Sequence, residues 1–245
     1  MRRYYYDLHL HSCLSPCGDD DMTPNNIAGM AALKGLNIVA LTDHNSCKNC
    51  PAFFEACRKQ GVIPIAGMEL STAEDIHIVC LFPELETAMA FDKEIEKHIM
   101  GVDNRPDIFG NQFITDGEDE VIGTVDKLLI SATDLWLCDA LAWIGKYGGY
   151  ARPAHIDRES NGIVAILGDI PAEYGFTCFE FNNAENITRY KEKFPVVREE
   201  NILVCSDAHH LWDINEAENF LMIDDEPYSS KLVRERFFEY LKNLK

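Results

Sequence analysis

Residues 4–12 read Tyr-Tyr-Tyr-Asp-Leu-His-Leu-His-Ser. Tyr4–Leu10 has the aromatic and aliphatic content of a strand. Strand alternation puts His9 and His11 on one face and Leu8 and Leu10 on the other. Two imidazoles aimed the same way from one strand make a metal clamp. A pair of hydrogen-bonded core histidines has the same local sequence, so the choice depends on the rest of the chain.

Working outward, short apolar runs alternate with amphipathic helices. Thr23-Pro24 is a helix start, and Gly35 closes that helix. Asn37–Leu41 reads as a buried strand ending at Thr42-Asp43-His44. Pro51 opens a second helix that Gly61 ends. Val62–Ala66 is a third strand ending near Glu69, and Ile76–Phe82 a fourth. From Glu84 to about Gly149 the signals are mostly helical, with turns at Pro106, Gly110 and Gly117; this stretch is too long for a loop and reads as a helical insertion. The alternation resumes at Tyr150–His155, Phe176–Phe181 and Ile202–Ser206. A short strand at Phe220–Ile223 and a helix at Lys231–Leu244 follow. Strands separated by helices predict parallel βαβ units, and about seven of them predict a closed α/β barrel. The barrel would comprise residues 1–83 and 150–245, with 84–149 inserted.

Six of the eight histidines, His9, His11, His44, His77, His155 and His209, fall within or at the end of a predicted strand. Strand ends in a parallel barrel gather at one mouth, where active sites form. Asp7, Asp43, Glu69 and Asp207 share these places. Asp207-Ala208-His209 repeats the His9/His11 geometry with mixed oxygen and nitrogen ligands, and Glu69 is placed to bridge two cations.

The chain has 245 residues, is 47% hydrophobic and carries a formal net charge of −19. That is enough for one well-buried core. Such a charge repels phosphate backbones and anionic membranes, so no long nucleic acid and no membrane is expected as a partner; a metal cluster would invert the field locally. No apolar run reaches 18 residues, and MRRYYYDLHLHS does not read as a signal peptide. Nine cysteines, an odd number, predict free thiols or metal ligands rather than a disulfide framework, and a cytoplasmic setting. Cys13, Cys17, Cys47 and Cys50 lie in the first two strand-end loops, where four thiolates would meet if they formed a zinc or iron–sulfur site; free thiols are the plainer expectation.

Taken together, Asp7-Leu8-His9-Leu10-His11-Ser12, Thr42-Asp43-His44, Gly67-Met68-Glu69, His77, Pro153-Ala154-His155 and Ser206-Asp207-Ala208-His209 resemble the ordered motifs of the PHP (polymerase and histidinol phosphatase) family, in its stand-alone bacterial phosphoesterase form. The resemblance runs from residue 4 to about 212. It implies a distorted seven-stranded (β/α) barrel with two or three divalent ions, for which zinc, manganese and iron suit the ligands equally. By position, His9, His11, Glu69 and Asp207 would hold the first ion. Glu69, His77 and His155 would hold the second. His44, His209 and a first-loop aspartate would hold the third. Counting back from Pro24 favours Asp19 for that last role, with Asp20 and Asp21 open because the loop is longer than the family pattern.

Such a cluster suits phosphoester hydrolysis, with a bridging hydroxide held by Glu69, His11 and His77 presented to phosphorus. Arg158, and after it Arg152, would complete a phosphate clamp. Asp7 and Asp43 would each receive an imidazole N–H and fix its tautomer. The expected activity is release of phosphate from a small phosphorylated molecule, a monoester or a nucleotide. The alternatives are a 3′–5′ exonuclease or oligonucleotide-processing enzyme, and a metal-binding barrel without catalysis.

Overall fold

The computed structural model describes residues 1–244; Lys245, the last residue of the expected second barrel segment, lies outside the described residues. The elements run β1 Arg2–Asp7, α1 Pro24–Leu33, β2 Ile38–Leu41, α2 Cys50–Gln60, β3 Ile63–Ser71 and β4 His77–Phe82. Then come α3 Leu85–Ile95, α4 Pro106–Phe109, β5 Phe113–Thr115, β6 Val121–Thr124, α5 Leu137–Lys146 and β7 Tyr150–Pro153. The last are α6 Ile163–Leu167, β8 Phe179–Phe181, α7 Ile187–Lys193, β9 Ile202–Val204, β10 Phe220–Ile223 and α8 Ser230–Asn243.

Local chemistry accounts for the first units. Thr23 caps α1 by accepting the Asn26 N–H, and Pro24 takes the first turn, where no donor is needed. Gly61, at φ +72°, ends α2 in a left-handed conformation that suits glycine. The strands between these helices bury both faces. Val39 and Leu41 pack with Ile27 and Phe53 of the flanking helices, while Ile38 and Ala40 join a second core with Phe237 and Leu241 of α8. Burial on both faces is what a helix-covered sheet requires, and it explains why these strands read as continuous apolar runs.

Six strands form one sheet in the order β10-β1-β2-β3-β4-β7. β1, β2 and β3 are parallel. The expectation of parallel units throughout fails at β4, which is antiparallel to both β3 and β7. Only Thr72–Ile76 separate β3 from β4, too few residues for a crossover, so the chain turns back as a hairpin. β8 and β9 form a separate parallel pair. Ile156 N–H donates to Glu180 O at 2.9 Å, and Leu10 bridges Ala208 in parallel, so this pair lies between the ends of β7 and β1. The architecture is thus a curled, mixed sheet of six strands with a two-strand segment beside it.

The stretch 84–149 is not wholly helical as expected. β5 and β6 form an antiparallel hairpin there. Its strands are three and four residues long, too short for a period to show, and the turn between them is built on Asp116, whose Oδ1 accepts the Glu118 and Glu120 N–H groups. The last helix of the stretch, α5, begins only at Leu137. The residues before it are drawn onto the sheet: Asn45 Nδ2 donates to Leu129 O and Ser131 O at 2.7 and 2.8 Å, and Thr133 donates its N–H and hydroxyl to Ser71 O. Among the described residues no helix is long and apolar enough to cross a membrane.

Candidate metal centre

The reversal of β4 decides where His77 lies relative to the other candidate residues. His9 and His11 follow β1, His44 follows β2, and Glu69 lies near the end of β3. His77 is the first residue of β4, but β4 runs the other way, so its first residue lies at the same mouth. His155 follows β7; Asp207 and His209 follow β9. Asn45, His155 and Asp207 have φ of +48°, +26° and +53°. Such backbone is costly for residues other than glycine and persists where surroundings over-determine it.

Glu69 is the centre of the cluster, with 1% of its side chain exposed. Its Oε1 lies 3.3 Å from His9 Nε2, 2.8 Å from His77 Nδ1 and 3.0 Å from His155 Nε2. Its Oε2 lies 3.3 Å from His11 Nε2 and 3.0 Å from His44 Nδ1. Asp207 Oδ1 is 3.1 Å from His11 Nε2 and 3.4 Å from His9 Nε2. Donor atoms come within 4.8 Å of one another in three groups: His9, His11, Glu69 and Asp207; His44, Glu69 and His77; and His11, His44 and His209. Two of these sets share Glu69 and two share His11. Seven of the nine positions expected from the sequence fall in these groups, and an eighth, His155, reaches Glu69 Oε1 at 3.0 Å without belonging to one.

The exception is Asp19. Its N–H binds His209 O at 2.9 Å and its carboxylate turns outward, 3.3 Å from His210 Nδ1. Asp20 and Asp21 are exposed as well, with Asp20 accepting from Asn111. Among the described residues no first-loop carboxylate joins His44 and His209; the donor near them is His11, which the first group shares. The thiols do not form a four-thiolate site. Cys47 and Cys50 point into the core against the Gly67 carbonyl, and Cys13 faces Phe113 O. Only Cys17 lines the mouth.

The anions and imidazoles shift one another strongly. Burial disfavours charge throughout, yet His77, His9 and His44 hold the Glu69 carboxyl well below the usual carboxylate range. His9 and His11 likewise depress Asp207. Against the same burial, Asp207 and Glu69 raise His11 to about 9. Burial and the neighbouring His11 push His44 down to about 3 and His209 down to about 4.

Neither Asp7 nor Asp43 receives an imidazole N–H as expected. Asp43 acts one residue further out: Ser15 Oγ donates to Asp43 Oδ1 at 2.7 Å and faces His11 Nδ1 at 3.0 Å. Asp7 accepts the Ser206 and Asn215 N–H groups and so holds the backbone before Asp207. Arg152 is not a mouth arginine. It is fully buried, paired with Glu180 by Nε and Nη2 at 2.9 and 2.7 Å. Its place inside β7 explains this, since the strand directs it into the core. Arg158 does stand at the mouth, half-exposed, with Nη1 on Asp207 Oδ2. Sequence reasoning missed Glu180, whose Oε1 is 2.6 Å from His9 Nδ1. A carboxylate between two buried phenylalanines, Phe179 and Phe181, was the available signal.

The residues fit divalent cations. Two ring nitrogens, His9 Nε2 and His11 Nε2, face each other at 3.3 Å. Five imidazoles crowd the two oxygens of one buried carboxylate, more than hydrogen bonding uses. Nitrogen and carboxylate donors in this mixture suit zinc, manganese or iron.

Fold and cluster together define an α/β domain whose sheet end gathers the donor set of a metal centre. The chain belongs to the PHP domain family, whose profile matches residues 7–194. A 5′-3′ exoribonuclease of Haemophilus influenzae is 35% identical over 79 residues, which cover 31% of this chain and 28% of that protein. An uncharacterised protein of Methanocaldococcus jannaschii is 31% identical over 101 residues, 37% of this chain and 58% of that one. The chain therefore spans less than two thirds of either relative. Among solved structures, endonuclease Q in complex with a 27-mer duplex carrying an abasic lesion aligns over all of this chain and 57% of its own, with TM-score 0.63 and 18% identity. A Bifidobacterium adolescentis protein, whose metal-dependent phosphoesterase role is itself an inference, aligns over 96% of both chains with TM-score 0.60 and 17% identity. At these identities the structural likeness speaks for the fold.

Proposed function

We propose that this chain is a metal-dependent phosphoesterase acting on a small phosphorylated substrate, a monoester or a nucleotide, on a seven-strand PHP barrel (β1–β4 and β7–β9) into which residues 84–149 are inserted. The convergence of five imidazoles on both oxygens of Glu69 carries this reading. His9, His11, Glu69 and Asp207 would hold one ion, Glu69 with His77 and His155 a second, and His44 with His209 a third. Bound cations supply a nucleophilic water at neutral pH and neutralise phosphate charge.

The chain's own residues shape the rest. The mouth is a cavity of about 290 Å³, the size of a phosphate with a modest leaving group. Arg158 presents a guanidinium at its rim, suited to phosphate oxygens once Asp207 is engaged by a cation. Ile130, from the inserted segment, supplies an apolar wall. Nine free thiols fit a reducing cytoplasm.

A second reading is a nuclease, favoured by the names of two relatives, the exoribonuclease and endonuclease Q. The charge of −19 weighs against long polymers. The deciding experiment compares an aryl phosphate, nucleoside bisphosphates, histidinol phosphate and end-labelled oligonucleotides, with and without chelator. Chelator-sensitive phosphate release from small esters supports the proposal. Activity confined to oligonucleotides selects the second reading, and end-labelling gives its polarity. Full activity after metal is stripped removes both.

A further inference from the structure

The six-stranded sheet stops at β7, and the β8–β9 pair begins without a continuous ladder to it. Ile156 N–H to Glu180 O is the backbone bond joining the two at this seam. Side chains span it instead. Arg152 on β7 donates to Glu180 Oε2 through Nε and Nη2, and its Nη2 also donates to Leu8 O of the first segment at 2.9 Å. Glu180 on β8 uses its other oxygen, Oε1, twice: it lies 2.6 Å from His9 Nδ1 and accepts the His155 backbone N–H at 3.2 Å. Both members of the pair are at most 1% exposed.

A buried ion pair gains little stability over apolar residues of the same size, so stability does not explain this one. Its connections do. Glu180 Oε1 fixes two ligand-bearing residues together. With a carboxylate at Nδ1, the proton of His9 is directed there and Nε2 keeps its lone pair, facing Glu69, Asp207 and His11. His155, at φ +26°, is held by its N–H while its Nε2 reaches Glu69.

We infer that Glu180, oriented by Arg152, is a positioning residue that sets the tautomer of His9 and the backbone of His155, and so brings the cation-binding groups on either side of Glu69 into register. This rests on the metal reading above. Glutamine at position 180 cannot do the same: one of its two terminal atoms is a donor, which must face either Arg152 or the His9 and His155 donors.

The test loads metal-free wild-type and Glu180→Gln protein with zinc or manganese against a competing chelator, and records long-range ¹⁵N–¹H spectra of the zinc-loaded histidines. The expected result is about 10–100-fold weaker loading in Glu180→Gln. The His9 Nδ1–H signal should be strongly deshielded in wild type and lose that shift in the variant. Thermal melts of both metal-free proteins check that the variant folds. Should it not fold, the wild-type spectrum decides alone: His9 protonated at Nδ1 supports the proposal, and His9 protonated at Nε2 overturns it. Equal loading of the two proteins, with wild type loading normally, overturns the positioning role and leaves the metal reading intact. Wild type that takes up neither metal overturns both.

Discussion

Glu69→Gln is the sharpest perturbation of the centre. It keeps the side-chain volume and removes the charge that five imidazoles approach within 3.3 Å. One acceptor becomes a donor, so the ring nitrogens on that side meet an N–H₂ group, and a carboxylate able to bridge two cations is lost. The effect on stability follows from linkage. A cation present at about 1,000 times its dissociation constant stabilises the native state by about 4 kcal/mol. Unfolding entropy of about 2.1 cal/mol/K per residue gives about 0.5 kcal/mol/K for this length, so one saturated site raises the melting temperature by about 8 °C. Thermal unfolding followed by circular dichroism, with chelator and then with zinc or manganese, measures the shift, and elemental analysis counts the ions. Wild type should gain about 8 °C per saturated site, and Glu69→Gln should gain less than about half of that. A wild-type melt indifferent to both metals, or a variant that gains as much as wild type, refutes the reasoning.

Other outcomes follow from neighbouring features. Arg158→Ala should lower kcat/KM for a phosphate ester about 10–150-fold, the loss of one charge-assisted contact of about 1.5–3 kcal/mol, with metal content unchanged; a loss under threefold takes Arg158 out of the phosphate clamp. Metal uptake should tighten as pH rises from 7 to 9. Bonds to Asp207 and Glu69 outweigh burial and raise His11 to about 9, so below that pH its proton must leave before a cation binds. Calorimetry in buffers of different ionisation enthalpy reads the released proton, and affinity flat across this range contradicts it. Gly67→Ala should cost about 1–3 kcal/mol in a urea titration, because a Cβ there would lie 2.7 Å from the Cys80 carbonyl oxygen and 2.9 Å from Thr42 Cγ2.

Much of the cluster was legible in the sequence because its members sit at strand ends, and strand ends have a local signature: an apolar run, then a polar residue of unusual type. His9, His11, His44, Glu69, His155, Asp207 and His209 were all found that way. His77 was also found, though for an incomplete reason. Its place at the mouth depends on β4 running backwards, which a parallel reading does not contain. Arg152 shows what the sequence withheld. From the sequence, Arg158 ranks first and Arg152 second for phosphate, and both are admitted. Their roles separate only when β7 carries Arg152 into the core against Glu180 and the loop after His155 leaves Arg158 at the rim. Asp19 failed for a similar reason, since loop length shows in the sequence but loop direction does not.

The structure also bears on whether residues 84–149 open and close over the mouth. A lid needs weak ties to its base, and the segment nearest the ligands has strong ones. Asn45 follows His44 directly and is held at φ +48° by three bonds of its own side chain: Nδ2 to Leu129 O and Ser131 O, and Oδ1 from the Ser71 N–H. Thr133 adds two bonds to Ser71 O. The carbonyls on either side of Ile130 are therefore fixed to the same backbone that carries His44 and Glu69. Lifting this lip would break several buried hydrogen bonds at about 1 kcal/mol each and release a strained residue beside a ligand. The inserted segment is in this respect a wall of the pocket. On the proposed function, Ile130 would then select substrate by shape against a fixed surface, without closure.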